Sequence, residues 1–367
     1  MNSSSVIRIP VFLVAMAVIL AACGSQSPGG AESTATESRT PAPEGSEAAS
    51  AEPTERTGPP EGQASEFIIP LAGVGISTVP LLAAVDELTA QGYTVETPEV
   101  SGYELATEGV AQERFHFSAG VTGANLQAIE QGAPLAIIGS RVGNEFLLYA
   151  REGLDSCEEI MASRVAIHSP GSSSGLMMRS WAEENCPEGT PWEPLIIEGS
   201  QNRLAAMLAD QLDASPVDFA SAFILDDEGG FERVVVFKDA LEGVNTSTIA
   251  GNVDWMAENP DVTRDFLREL ILQHRRINSE DGYLFELYER YLPEEVEADP
   301  ETAQLIVNEY VDLQLFDNNL DLDQAAVERT LEYYGPSGTA EVETEQTADE
   351  VADLSYLEDV LDELGRE

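Results

Sequence analysis

From Glu66 onward, short apolar runs alternate with stretches whose apolar positions recur at helical spacing. Phe67 to Gly73 reads as a first strand. Ser77-Thr78-Val79-Pro80 then opens a helix through Leu88, with a capping hydroxyl and a proline near the first turn. Tyr93 to Glu96 is a second strand and Arg114 to Ser118 a third, followed by Thr122 capping a helix through Ile129. Pro134 to Ile138 and Phe146 to Tyr149 give strands four and five. A second series starts at Arg164 to His168. It continues through the turn Pro170 to Gly175, a helix to about Asn185, a strand at Glu193 to Ile197 and a helix over Asn202 to Leu208. Asp213 to Val217, Arg233 to Phe237 and Thr246 to Ala250 are further strands. Asn259-Pro260-Asp261 then starts an amphipathic helix with Phe266, Leu267, Leu270 and Ile271 on one face. The final segment carries apolar residues at 354, 357, 360, 361 and 364, the spacing of a helix that docks on a core.

Repeated strand–helix alternation predicts an α/β fold of mostly parallel sheets with helices on both faces. Two such series predict two sheets facing a cleft. Ligands in such folds sit beyond the carboxyl ends of strands, at helix amino ends.

The first residues follow another pattern. Arg8 precedes an unbroken apolar run from Val11 to Leu20, and small residues lead to Cys23. This reads as a signal peptide over 1–22 with a lipoprotein-type cut before Cys23, whose thiol would carry the lipid. The run is too short for a permanent membrane span. Residues 23–65 are rich in Gly, Ser, Pro, Glu, Ala and Thr and are expected to be a disordered tether. About 40 such residues reach roughly 35 Å.

Composition changes the picture through charge. The chain of 367 residues has 67 acidic residues against 18 basic ones, a formal net charge of -49, and its only lysine is Lys238. Such a polyanion repels nucleic acid and anionic lipid, which excludes both as partners apart from the anchor itself. The acid is spread along the chain, the pattern of a solvated surface adapted to high salt, where screening over a few Å removes self-repulsion. Instability in fresh water is expected.

Besides Cys23, Cys157 and Cys186 form an even pair in an exported chain, so a disulfide is expected, with two buried thiols as the alternative. The closed loop would contribute roughly 3 kcal/mol in the chain-entropy model. His116, His168 and His274 are scattered without ligand spacing, so no metal site and no cofactor are expected. No nucleophile elbow and no nucleophile–histidine pattern is present, and the reading is of a binding protein rather than an enzyme.

Three places combine a strand end with a helix start. Ser172-Ser173-Ser174, flanked by Gly171 and Gly175, offers helix-end N–H groups and hydroxyls to an anion, or serves as a cap. Ser77-Thr78 and Thr122-Gly123 occupy the same position in their units. Arg141, directly after the fourth strand, suits a bidentate grip on a carboxylate, sulfonate or nitrate, or a salt bridge to a neighbouring carboxylate. Asp218 and Asn252 are candidates to contact a ligand or to cap the helices that follow them.

The chain resembles the solute-binding lipoproteins of ABC importers, in the nitrate/taurine/alkanesulfonate branch, which also holds proteins binding thiamine pyrimidine precursors. The resemblance runs through Phe117 to Gly120, Asn125 to Ile138, Ile160 to Ser174, Met207 to Ala214, Asp254 to Phe266 and Leu354 to Leu357, covering about residues 66–365. The usual Gly-Tyr-Phe after the first helix is reduced to Gly92-Tyr93, and the usual Asp-Leu-Lys-Gly is replaced by Cys157-Glu-Glu-Ile-Met161. The resemblance implies a two-lobed, type 2 periplasmic-binding-protein-like fold. Lobe one would hold 66–160 and 245–367, and lobe two 161–244. It implies pocket residues near Ser77, Thr122, Arg141, Ser173 and Asp218, hinge closure on a small ligand, permease subunits as partners and a monomer tethered outside the cytoplasm. A small organic anion such as a sulfonate is the expected ligand. A pyrimidine-like ring, walled by Tyr103, Phe219 or Trp255, is the alternative, and a sensor feeding a signalling receptor is a further one.

Overall fold

The computed structural model describes residues 58–169, 172–335 and 346–367. The expected signal peptide, Cys23, most of the tether, and Pro170-Gly171 lie outside the described residues.

The first half runs β1 (Glu66–Ile68), α1 (Val79–Ala90), β2 (Thr94–Glu96), α2 (Tyr103–Ala111), β3 (Phe117–Val121), α3 (Thr122–Glu130), β4 (Leu135–Ser140) and β5 (Phe146–Arg151). Next come α4 (Cys157–Ala162), β6 (Ala166–Ile167), α5 (Ser173–Asn185), β7 (Leu195–Ile196), α6 (Ser200–Leu208), β8 (Ala214–Asp218), α7 (Phe219–Glu228), β9 (Phe231–Val236) and α8 (Phe237–Ala240). The chain returns through β10 (Ser247–Asn252) and is helical from there: α9 (Val253–Glu258), α10 (Pro260–Ser279), α11 (Tyr283–Tyr291), α12 (Pro293–Ala298), α13 (Pro300–Asp312), α14 (Gln324–Tyr334), α15 (Ala348–Val351) and α16 (Ser355–Leu364).

Two sheet systems result. In the first, β1 pairs with β2 in parallel, and β10 lies between β3 and β4, antiparallel to both. The His116 N–H donates to the Ile68 carbonyl at 3.0 Å and joins the two parts. In the second, β5 lies between β8 and β9, antiparallel to both, and β6 pairs with β7 in parallel. A parallel bridge from Val165 to Ala214 links these. Each system therefore has one reversed strand. β3 and β4 run parallel to one another because both oppose β10, and β8 and β9 do so because both oppose β5.

The reversed strands mark where the chain changes sheets. β5 was expected within the first lobe, but it is the central strand of the second sheet, so the chain crosses between Arg141 and Glu145. It crosses back before Ser247. The expected tether is also shorter than 23–65, because its last residues dock on the start of α10. Gln63 Nε2 donates to Asp261 at 2.8 Å, Gln63 Oε1 accepts from the Asp261 N–H at 2.9 Å, and the Ala64 N–H donates to Asn259 at 2.7 Å.

Packing follows the apolar stripes. Phe266, Leu267, Leu270 and Ile271 of α10 are all buried in the first core with Phe67, Phe117 and Ile138. Leu357, Val360 and Leu361 of α16 join the same core, and Arg264 and Arg268 of α10 pair with Asp359 and Glu363 of α16. The second core gathers β5, α6 and α7 with Tyr283 to Phe316. Cys157, opening α4, and Cys186, just past α5, form a disulfide with a Cα–Cα distance of 5.2 Å. No helix among the described residues is long and apolar enough to cross a membrane.

Candidate functional site

A cleft of about 940 Å³ is lined from both sheet systems and from both crossings. Four helices aim their amino ends at it: α2 through Gly102 and Tyr103, α3 through Gly123 and Ala124, α5 through Ser172 to Ser174, and α6 through Ser200. Three of these ends carry no side-chain cap, since the residues preceding α2, α3 and α6 are Gly102, Val121 and Gly199. The uncapped first turns leave N–H groups and a positive dipole end facing the cleft.

α5 differs. Ser172 caps it by accepting from the Gly175 N–H at 3.3 Å, and its hydroxyl donates to the Ser169 carbonyl at 2.7 Å. Ser174 is buried and accepts from the His168 N–H at 2.9 Å. Ser173 keeps its side chain at the cleft. The serine triplet thus divides its work, two hydroxyls building the turn and one facing the ligand space.

Arg141 lines the cleft and is 7% exposed. Its Nε donates to the Ser247 hydroxyl at 2.8 Å, and one terminal nitrogen donates to the Ser77 carbonyl at 3.2 Å and hydroxyl at 3.4 Å. All these acceptors are neutral. The salt bridge weighed for Arg141 does not form among the described residues.

A second arginine was missed by the sequence reading. Arg203, in α6, lines the cleft and is 2% exposed. It donates to the Ser215 hydroxyl at 2.9 Å, to the Pro216 carbonyl at 3.1 Å and to the Ile197 carbonyl at 3.3 Å. Burial pulls its guanidinium below the usual range, and the charge of Asp218 works the other way. A guanidinium has five N–H donors, so both arginines keep donors beyond these bonds. Glu145 and Glu104 also reach the lining. Glu145 accepts a hydrogen bond from the Tyr310 hydroxyl.

Other candidates lie elsewhere. Ser77 holds Arg141 from behind and is not part of the lining. Thr78 precedes α1 but makes no capping bond. Thr122 is the first residue of α3 rather than its cap; its hydroxyl bonds the Thr248 hydroxyl at 3.2 Å in the core. Asp218 caps α7 through the Ser221 N–H at 2.8 Å. Asn252 is fully buried, caps α9 through the Trp255 N–H at 3.0 Å and donates to the Val110 carbonyl at 3.1 Å, away from the cleft. Of the aromatic walls, only Tyr103 lines the cleft. Its ring lies where a Cβ on Gly120 would come within 2.3 Å of Cδ1, so a side chain there would displace it. Phe219 packs on Tyr310 at 5.4 Å and Trp255 on His116 at 4.6 Å, both in cores. His116 is also held there by accepting from the Ile68 N–H at 2.8 Å. No group of three metal-ligating side chains occurs among the described residues.

No protein-family model and no curated protein matches the sequence. Solved structures do. The chain is similar to the periplasmic sulfonate-binding protein SsuA of Methylobacillus flagellatus, with a TM-score of 0.62 at 16% identity over 83% of this chain and 96% of that one. It is similar to the periplasmic nitrate-binding protein NrtA of Synechocystis, with a TM-score of 0.56 at 12% identity over 84% and 90%. It is also similar to a Candida albicans protein described as having the generic periplasmic binding protein fold, with a TM-score of 0.56 at 14% identity over 82% and 95%. With its paired sheet systems, one reversed strand in each and a cleft between them, this chain has the two-lobed periplasmic-binding-protein fold.

Proposed function

We propose that this chain is the solute-binding component of an ABC importer, tethered outside the cytoplasm through a lipid on Cys23, and that it captures a small organic anion such as a sulfonate and delivers it to permease subunits. The observation that carries the ligand class is the pair Arg141 and Arg203. Both guanidiniums are buried at the cleft and, among the described residues, bonded only to neutral acceptors, in a chain with 67 acidic residues. Burying a charge that is bonded only to neutral groups is costly; Asp218 offsets part of that cost for Arg203 from a distance, and a bound anion offsets more while taking up the remaining N–H donors. Uncapped helix ends add in the same direction. The sulfonate-binding and nitrate-binding proteins of the same fold support a role in solute capture. The crossings at Arg141 and Ser247 are where hinge closure would act.

Thermal unfolding in molar salt, on the chain lacking its first 23 residues, tests this against taurine, alkanesulfonates, nitrate, bicarbonate, pyrimidines and amino acids. A ligand at 100 times its Kd adds about 2.7 kcal/mol. Shifts confined to anions support the reading; no shift with any anion on folded protein overturns it. Incorporation of labelled fatty acid, lost in Cys23→Ser, tests the anchor. A second reading, a ring-bearing ligand stacked on Tyr103, rests on that side chain's place in the lining, and shifts given only by pyrimidines select it.

A further inference from the structure

Tyr334 ends α14 and is 1% exposed, within the first core, yet it lines the cleft. Its ring is fixed on two sides. A Cβ on Gly123 would lie 3.2 Å from its Cε1, and Tyr333 packs edge-on with ring centroids 5.2 Å apart. Its hydroxyl is buried and has no hydrogen-bond partner among the described residues. Burial pushes the hydroxyl's pKa up, and Ser173, in the first turn of α5, is near enough to pull it part of the way down, though outside hydrogen-bond geometry. A buried tyrosine hydroxyl ordinarily finds a partner, and leaving it without one is costly. Beside it, the amino end of α3 has no side-chain cap. Tyr334, the uncapped end of α3 and Ser173, the serine of the triplet that does not build the turn, therefore meet on the same stretch of cleft wall.

We infer that Tyr334 is a ligand-binding residue, its hydroxyl donating to an acceptor oxygen of the bound molecule between the amino ends of α3 and α5. The inference rests on the solute-binding reading and adds a requirement to it. The ligand presents an oxygen acceptor to Tyr334 in addition to the group held by the arginines. Ligands with several acceptor oxygens, such as sulfonates and carboxylates, meet that requirement, and an ammonium or alkyl end placed there does not. Because the ring is held by Gly123 and Tyr333, little ordering of that side chain is needed on binding.

Tyr334→Phe deletes the hydroxyl and keeps the ring. In molar potassium chloride, the wild-type chain and the variant are titrated calorimetrically with taurine, methanesulfonate and nitrate, and their unfolding midpoints are measured without ligand. The expected result is an affinity loss of about tenfold or more for the anion that binds, with an unchanged or higher midpoint, since an unpartnered polar atom has been removed. Equal affinities overturn the role of Tyr334 and leave the solute-binding reading standing. A midpoint lowered by several degrees also overturns it, marking the hydroxyl as structural. A wild-type chain silent to all three anions overturns the anion reading and this inference with it.

Discussion

Arg141 and Ser247 tie together the two stretches of chain that pass between the sheet systems. The Arg141 N–H donates to the Ser247 carbonyl at 3.0 Å, and its Nε donates to the Ser247 hydroxyl at 2.8 Å. That hydroxyl in turn donates to the Gly120 carbonyl at 3.2 Å, one residue before the end of β3. The guanidinium is thus fixed by the crossings themselves, and its orientation toward the cleft is set by the same bonds that hold the crossings in register.

Replacing Arg141 separates charge from orientation. Arg141→Ala is expected to reduce anion affinity about tenfold to a hundredfold, as for a charged hydrogen bond lost. Arg141→Lys keeps the charge but has no Nε donor for Ser247 and no planar fork, so it recovers only part of the loss. Titration calorimetry with the best-binding anion checks both. Full recovery in the lysine variant would show that charge alone acts there.

Much of this was legible in the sequence because strands and helices announce themselves through apolar spacing. The stripe Phe266, Leu267, Leu270 and Ile271 is buried as its period requires, and the spacing of α16 forecasts its docking. α2 escaped notice because its buried face is made of Ala106, Thr107, Gly109 and Val110, residues too small to mark a stripe. β6 and β7 lie inside the expected strands at Arg164 to His168 and Glu193 to Ile197 but keep only two paired residues each. At the cleft, Arg141 and the serine triplet could be read from their place after strands. Arg203 could not, because the carbonyls that hold it belong to Ile197 and Pro216 on other elements. One signal was present: Arg203 shares a helix face with Ala206 and Met207, and a charge on an apolar stripe calls for a partner. Tyr334 likewise sits on the buried stripe Val327, Thr330, Tyr334. Asn252 and Thr122 misled because a polar residue at a helix start serves the fold as readily as a ligand.

Arg203 serves the fold and the cleft together, and its replacement should show both. Arg203→Met keeps most of the volume but leaves the Ile197 and Pro216 carbonyls without their donor. The expected cost is about 1–3 kcal/mol of stability, read from the urea midpoint, together with weaker anion binding. A variant of unchanged stability would show that water replaces the guanidinium at those carbonyls.

The disulfide anchors the far end of α5 from the cleft. Cys157 and Cys186 are 29 residues apart, and opening that loop in the unfolded chain is expected to cost about 3–4 kcal/mol in the chain-entropy model. The amino end of α5 is held separately by Leu176 and Met177, both buried. A Cys157→Ser, Cys186→Ser variant should therefore unfold at lower urea while binding the same anion within about threefold, a range below 1 kcal/mol. A large affinity loss at unchanged stability would reverse this assignment and make the bond a device for positioning Ser173.

His274 gives the protein a specific weakness to acid. It lies in α10 at 1% exposure, its Nδ1 bonds the Asp317 carbonyl at 3.0 Å, and its Nε2 has no partner among the described residues. A carbonyl can only accept, so Nδ1 carries a proton. Burial pushes the imidazole down to about 4; the charge of Arg141 adds to that push, while Asp317 opposes it. With the folded value below the unfolded one near 6.5, the contribution to stability is complete above about pH 6.5 and is lost as pH falls toward 4. At one pKa unit per 1.36 kcal/mol, the loss between pH 7 and pH 4.5 is about 2–3 kcal/mol. Burial lowers His116 too, and carboxylates such as Asp213, held down by Arg164, lose their contribution at still lower pH. Comparison with His274→Asn isolates the one residue, because asparagine can still donate to the Asp317 carbonyl and does not titrate. Urea unfolding across this range should give a stability difference between the two chains that shrinks by about 2–3 kcal/mol as pH falls, and a difference independent of pH would show that His274 does not change its protonation on unfolding.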